Sequence, residues 1–161
     1  MIQLRPARPV DAGAIAEVWA AGWRDGHLGH VPEELVAART PESFRPRAAD
    51  RIDSTTVAEV DGALAGFVTV VADEVEQVYV AAAHRGSGLA GRLLAEAEHQ
   101  VAGAGHGGAW LAVVAGNARA RRFYETSGWR DDGPYDYAAE HDGATITVPC
   151  RRYRKELPAQ P

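Results

Sequence analysis

The stretch Val78-Tyr79-Val80-Ala81-Ala82-Ala83-His84-Arg85-Gly86-Ser87-Gly88-Leu89-Ala90 decides how the rest of the chain is read. It starts as a strand and ends as a helix, with an arginine and two glycines between. Such a loop is an anion cradle. Glycine lets the backbone bend and approach a ligand closely, with no Cβ in the way. Successive N–H groups then point at one place, and the helix N-terminus adds its partial positive charge. Arg85 supplies a guanidinium suited to a phosphate oxygen. A ligand carrying a pyrophosphate fits these donors. Two other phosphate loops are disfavoured. Gly86, Gly88 and Gly91 do have the G-x-G-x-x-G spacing. However, the strand before them belongs to a meander and does not open a parallel β-α-β unit. No acidic residue sits at the end of a second parallel strand ~20 residues on. The lysine-bearing P-loop is absent, because Lys155 is the only lysine.

Working back from this loop, three strand signals precede it: Thr55 to Val60, Leu64 to Val71 and Val75 to Val80. Turn dipeptides at Asp61-Gly62 and Asp73-Glu74 separate them, which makes an antiparallel meander. Further back, Met1 to Arg5 reads as a first strand closed by Arg5-Pro6-Ala7-Arg8-Pro9, since proline cannot continue a ladder. Ala14, Ile15, Val18, Trp19 and Trp23 recur at helical spacing, and Gly22 and Gly26 are expected to bracket the end of that helix. A short helix follows from Pro32. Residues 41–53 read as helical or irregular, interrupted by Pro46. Downstream, Gly88 to Val101 is a helix with Leu89, Leu93 and Ala97 four apart. Ala109 to Val114 is a buried strand, and strand–helix–strand from 75 to 114 is a right-handed crossover if its strands are parallel. Asn117 opens a helix that Gly128 ends. Two last strands, around Trp129–Arg130 and Ile146–Arg154, flank a polar loop at 131–143.

Two motifs in this order carry a resemblance. Arg85 to Ala90 resembles the R/Q-x-x-G-x-G/A signature of the GNAT acetyltransferases, and Val78-Tyr79-Val80 resembles their central strand. Asn117 to Trp129, with Phe123-Tyr124-Glu125-Thr126-Ser127-Gly128-Trp129 at its end, resembles their second motif. One helix and one apolar strand lie between the motifs, as in that family, and the element order agrees from residue 1 to about 155. The resemblance implies an α/β (α+β) fold with a mixed, largely antiparallel sheet of about seven strands, about four flanking helices and splayed central strands. It implies an N-acetyltransferase acting through acetyl-CoA on a primary amine of a small molecule or peptide.

The resemblance also assigns residues. The pyrophosphate of coenzyme A sits on Arg85, Gly86, Ser87, Gly88, Leu89 and Ala90. The pantetheine arm runs beside Val78, Tyr79 and Val80, with Asn117 and Phe123 near it. Arg119 and Arg122 lie on a basic run whose plainer reading is a solvated helix face, and whose functional reading is help with the 3′-phosphate. Tyr124 matches the tyrosine near the cofactor sulfur, where a phenol can protonate a leaving thiolate. For the base that deprotonates the amine, Glu74 and Glu76 are candidates, two apart on one face of a strand. The plainer reading of both is a solvated strand end. Trp23, His27 and His30 are candidates for the acceptor pocket, and either histidine also stays open as a base. Trp19 reads as core. His84, His99, His106 and His141 read as solvated.

The bulk composition agrees with an enzyme of this kind. The chain has 161 residues, 46% apolar and 24% charged, and a net charge of −5. One domain over 1–161 is expected. A broad nucleic-acid surface is disfavoured by the acidic balance. No apolar run reaches the ~18 residues of a membrane span. Cys150 is the only cysteine, so no intrachain disulfide or four-cysteine zinc site can form, and two histidines without a third ligand make no metal site. A cytoplasmic location is the expectation. The excess of arginine over lysine, with abundant Ala and Gly, matches a GC-rich bacterial genome. Relatives often pair through the last strands, which implies a homodimer. Two other readings remain: a non-catalytic acyl-CoA-binding module, and a nucleotide-binding domain that mimics the loop. The meander argues against the latter.

Overall fold

The computed structural model describes residues 1–158. In chain order the elements are β1 (Ile2–Pro6), α1 (Ala12–His27), α2 (Glu33–Ala38), α3 (Phe44–Asp50), β2 (Thr55–Val60), β3 (Ala63–Val71), β4 (Glu74–Val80), α4 (Leu89–Gly103), β5 (Gly108–Val114), α5 (Ala118–Thr126), β6 (Arg130–His141) and β7 (Ala144–Glu156). The strands form one seven-stranded sheet in the order β1-β2-β3-β4-β5-β7-β6. Every neighbouring pair is antiparallel except β4 and β5. This is the mixed, largely antiparallel α+β fold expected, with five α-helices among the described residues.

The meander follows from its turns. Asp61 and Gly62 both hold positive φ, 52° and 84°, the pair of left-handed residues that a tight hairpin requires. The second turn falls at Ala72-Asp73, one residue earlier than the sequence suggested, so Glu74 is already on β4. From β4 the chain passes through α4 and returns parallel on β5. There the only paired residues are Glu74 and Trp110. The two strands meet at one end and diverge, leaving a gap in the centre of the sheet.

Two apolar clusters cover the two faces. One joins α1 and α3 to the sheet through Ile15, Trp19, Trp23, Phe44, Phe67 and Val148. The other joins α4 to the opposite face through Leu89, Leu93, Leu94, Val68, Leu111 and Tyr153. Asp11 fixes the start of α1. Its carboxylate accepts from Arg5 at 2.8 and 3.0 Å and from the Arg8 amide at 2.7 Å, tying helix to β1.

Three sequence readings change. First, α1 does not stop at Gly22 but runs through Gly22 and Gly26 to His27. The glycines are there for close approach: a methyl at Gly22 would overlap the Tyr79 ring, and one at Gly26 would crowd the Asn117 amide. Second, Pro46 does not interrupt α3. It lies in the first turn, where its missing N–H has no partner to lose. Third, residues 131–143 are mostly strand, and the β6–β7 turn is only Asp142-Gly143. The register shifts between Asp131 and Pro134, and this bulge accommodates Asp131-Asp132-Gly133-Pro134, which read as a loop. From Pro134 to Glu140 the strand alternates between more and less exposed positions.

Replacing Gly22 by Ala tests the close approach of α1. An exposed helix would gain up to ~1 kcal/mol from this change. Here the overlap with Tyr79 should outweigh that gain, as overpacking typically costs ~1–3 kcal/mol. The expected result is a lower melting temperature than the parent; an equal or higher one would contradict the packing described.

Candidate active site

The gap between β4 and β5 opens into a cleft of about 480 Å³. Along β4 the Ala81 amide donates to the Ala65 carbonyl at 2.8 Å, and Gly66 to Thr69 pair with Val80 to Gln77 without a break. Strand alternation therefore turns the amides of Val78 and Val80 away from β3, into the gap where β5 has left. Backbone groups in that position need a partner from elsewhere.

The cleft ends at the glycine loop. Gly86 and Gly88 have φ of 79° and 83°, and a Cβ on either would meet nothing within 4 Å. The space above them is open. Gly88 is the N-cap of α4, and no side chain caps the helix. Its first-turn N–H groups therefore face the cleft without side-chain acceptors, beside Ala90 and Gly91. Leu89 contributes backbone only, because its side chain is in the core. The Ser87 hydroxyl does not line the cleft; it donates back to the His84 carbonyl. The Arg85 guanidinium is 2.7 Å from the carboxylate of Asp25 on α1. Arg119, Phe123 and Tyr124 of α5 form another wall, while Arg122 points outside it. Arg121, between them in sequence, is occupied by the Tyr153 hydroxyl, the Ala115 carbonyl and Asp131.

A second cavity, about 160 Å³, lies between β4 and β5, lined by Glu74 to Tyr79 and Leu111 to Val114, and reaches α1, α2, α3 and the β6–β7 hairpin. Trp23 and His27 line it, stacked at 4.5 Å. His27 Nδ1 is 2.8 Å from the Trp23 carbonyl oxygen, and burial pulls the imidazole down to about 4. It is neutral, and it is a weak base. His30 is not in the wall; its ring packs on Gly116. Glu74 and Glu76 both border the cavity. Glu76 is held by Arg51 at 2.9 and 3.3 Å. Glu74 has no such partner, and burial, reinforced by the Glu76 charge, pushes it up to about 7.

Tyr124, Tyr79, Val78, Ala120 and Asn117 border both spaces. Asn117 caps α5, its side-chain oxygen accepting the Ala120 amide at 3.1 Å. That bond aims α5 at the gap. Burial raises the Tyr124 phenol to about 12, so it is protonated at any working pH.

The structure also brings in residues that the sequence did not single out. Asp25 reaches the cleft because α1 continues past Gly22. Arg39, Arg47 and Tyr137 line the second cavity. No motif or spacing in the sequence pointed to these three residues. Cys150 borders the same cavity, its thiol pushed up to about 11 by burial. Among the described residues no cluster of three or more His, Cys, Asp or Glu could hold a metal ion, and no helix is long and apolar enough to cross a membrane.

Solved structures share this architecture along nearly their whole length. A GCN5-related N-acetyltransferase from Rhodopseudomonas palustris superposes with a TM-score of 0.76 at 20% identity, covering 96% of this chain and 95% of its own. PaiA N-acetyltransferase from Thermoplasma acidophilum, solved with coenzyme A, gives 0.74 at 20% identity, covering 98% and 99%. YncA from Salmonella typhimurium, solved with acetyl-CoA, gives 0.70 at 18% identity, covering 100% and 96%. No curated protein matches the sequence. The family model for acetyltransferases of the GNAT type matches residues 16–129, from α1 through the glycine loop to the end of the second motif. The chain therefore belongs to the GNAT acetyltransferase family.

Proposed function

We propose that the chain transfers an acetyl group from acetyl-CoA, bound in the cleft between β4, the glycine loop and α5, directly to a primary amine held in the second cavity. The observation that carries this is the junction itself. A phosphate cradle, an unpaired strand edge and a protonated phenol lie along one passage, and a carboxyl titrating near neutrality borders its far side. The neighbours solved with coenzyme A and acetyl-CoA support the choice of donor.

The roles follow from the chemistry of each group. The loop amides from Gly86 to Ala90, with Arg85, take the pyrophosphate, and Arg119 is the cation placed to add to them. Arg85 must first leave Asp25, a half-exposed pair of the kind that contributes little to stability. The Val78 and Val80 amides take the pantetheine arm, and an amide of this strand donates to the thioester oxygen as negative charge develops. Such a donor contributes ~3 kcal/mol to the transition state. Glu74 accepts the amine's proton, directly or through a water. The nitrogen then forms its bond to the carbonyl carbon, the carbon–sulfur bond breaks, and the second proton on nitrogen passes through water to the thiolate, leaving the amide and free thiol. Tyr124 donates a hydrogen bond to the departing sulfur. Its phenol lies about three units above a model thiol, so full proton transfer is uphill until the thiolate is itself desolvated. Cys150 fits no acyl-enzyme route, because its thiol is held protonated.

Among the candidate bases Glu74 is preferred. An efficient base has a pKa close to the working pH. His27 is too weak, and Glu76 is tied to Arg51.

Titrating the protein with acetyl-CoA and, separately, NAD tests the donor site. Acetyl-CoA at a hundredfold over its dissociation constant should raise stability by ~2.7 kcal/mol, a shift of several degrees, and NAD should do nothing. No shift with millimolar acetyl-CoA would overturn the assignment. Asp25→Asn should tighten acetyl-CoA binding a few-fold by freeing Arg85.

Glu74 makes a separate prediction for pH. Its carboxyl is neutral below about 7 and ionised above, so kcat/KM should rise through that pH as the base forms. Glu74→Gln should lose ~10²–10⁴ in rate and with it this limb of the profile. The same carboxyl costs stability on ionising. Because its folded value lies above 4.5, the parent should lose stability relative to Glu74→Gln as pH rises from about 4.5 to about 7. An unchanged limb in the variant would remove Glu74 from the role of base.

A further inference from the structure

Arg39 and Arg47 line the acceptor-side cavity, and neither has a carboxylate within 4.0 Å among the described residues. Arg39 is only 7% exposed and spends one donor, Nη2, on the Glu140 carbonyl at 3.0 Å. Arg47 lies over the Trp19 ring at 4.5 Å and the Phe44 ring at 5.4 Å, and its Nη1 is buried with no hydrogen-bond partner. Burial and the neighbouring Arg39 pull the Arg47 guanidinium down to about 10, still charged at neutral pH. Aromatic faces satisfy part of a cation's field, but they accept none of its N–H bonds. Two guanidiniums with spare donors, side by side in one small cavity, form an unsatisfied cationic site.

The nearby acids do not fill this site. Glu76 acts on Arg47 from a distance but is bonded to Arg51. Glu74 sits at the β4 end of the cavity, and Tyr137 lies between, sensing both Glu74 and Arg47. The cavity therefore has an acidic end at Glu74, where β4 and β5 are still paired, and a cationic end at Arg39 and Arg47.

We propose that the acceptor is a small amino acid, whose carboxylate binds Arg39 and Arg47 while its amine lies toward Glu74. The inference rests on the reading of this cavity as the acceptor site. It narrows the acceptor from any primary amine to a zwitterion. A polyamine, with a cation at each end, would place one of them against the arginines. A peptide or protein lysine brings no carboxylate at a fixed short distance from its amine.

The test is a panel of the twenty amino acids, their carboxamides and the corresponding decarboxylated amines, assayed for acetyl-CoA-dependent release of free thiol. At least one acid should be used about 10- to 100-fold better, in kcat/KM, than its own carboxamide, the range expected for hydrogen bonds to a charged group. Arg47→Met should erase that preference, mainly through KM, and Arg47→Lys should restore part of it. A merely structural role would lower acid and carboxamide alike and leave their ratio unchanged. Arg47→Met should fold, because it removes a buried, incompletely bonded charge and leaves an apolar side chain on Trp19 and Phe44. If it does not, Arg39→Gln is read in the same way. Carboxamides or plain amines used as well as the acids, or a ratio that survives in both variants, would overturn the inference while leaving acetyl transfer intact. If no amine is acetylated, acetyl transfer itself fails. The amino-acid site is then decided by melting shifts of the coenzyme A-loaded protein: acid over carboxamide, lost in Arg47→Met, supports it, and equal shifts or none overturn it.

Discussion

The molecule depends on two strands that begin together and do not stay together. Glu74 and Trp110 are the only paired residues of β4 and β5. The closed end is pinned twice: the Trp110 amide donates to the Asp73 carbonyl at 3.0 Å, and its indole N–H reaches the Asp73 carboxylate at 3.2 Å. Beyond that point each strand keeps its outer partner, β3 for one and β7 for the other. The unpaired inner edge would be costly in a closed core, since buried N–H and C=O groups need partners. It is tolerable only where a ligand or water can take them. A break in the ladder thus becomes a binding edge, and its open end coincides with the glycine loop.

The helices on either side make this break specific. Glycine in the middle of a helix is unfavourable by ~1 kcal/mol relative to alanine. Helix α1 nevertheless carries Gly22 and Gly26, where Tyr79 and Asn117 press against its backbone. Those two residues border both cavities. The helix therefore gives up propensity to let the β4 tyrosine and the α5 cap stand where the cleft needs them. The Asn117 side chain in turn fixes the start of α5, and α5 presents Tyr124 at the junction.

This also explains which parts of the molecule were legible in the sequence. Turn dipeptides and strict periodicity act locally, so the meander, α4 and the glycine loop could be read from neighbours a few residues apart. Gly22 and Gly26 were misread because glycine near a helix end usually stops it; the residues that require them, Tyr79 and Asn117, are more than fifty positions away. The β6 strand was hidden by Asp131-Asp132-Gly133-Pro134, a turn sequence that sits in a bulge, where Asp131 bonds the Gly133 amide and Arg151. Arg39 and Arg47 were invisible as a pair for a different reason. Surface arginines are common, and only the folded chain reveals that these two are buried without carboxylates.

Burial, more than sequence spacing, separates the acid–base candidates. Glu74 and Glu76 sit two apart on one strand and were equivalent on sequence grounds. In the fold, Arg51 neutralises Glu76, and Glu76 in turn raises Glu74. One carboxylate is thereby bonded to a guanidinium, while the other titrates near neutrality. His27 shows the same environment acting with opposite sign. Desolvation disfavours the charged form of any group, so it raises a carboxyl and lowers an imidazole. Within one cavity this converts the acid into the better base and the imidazole into a neutral wall. The ordinary order of base strength, histidine above glutamate, is inverted at this site. A base that must take a proton from an ammonium near pH 7 works best with a proton affinity close to that pH, and in this cavity the carboxyl, not the imidazole, has it.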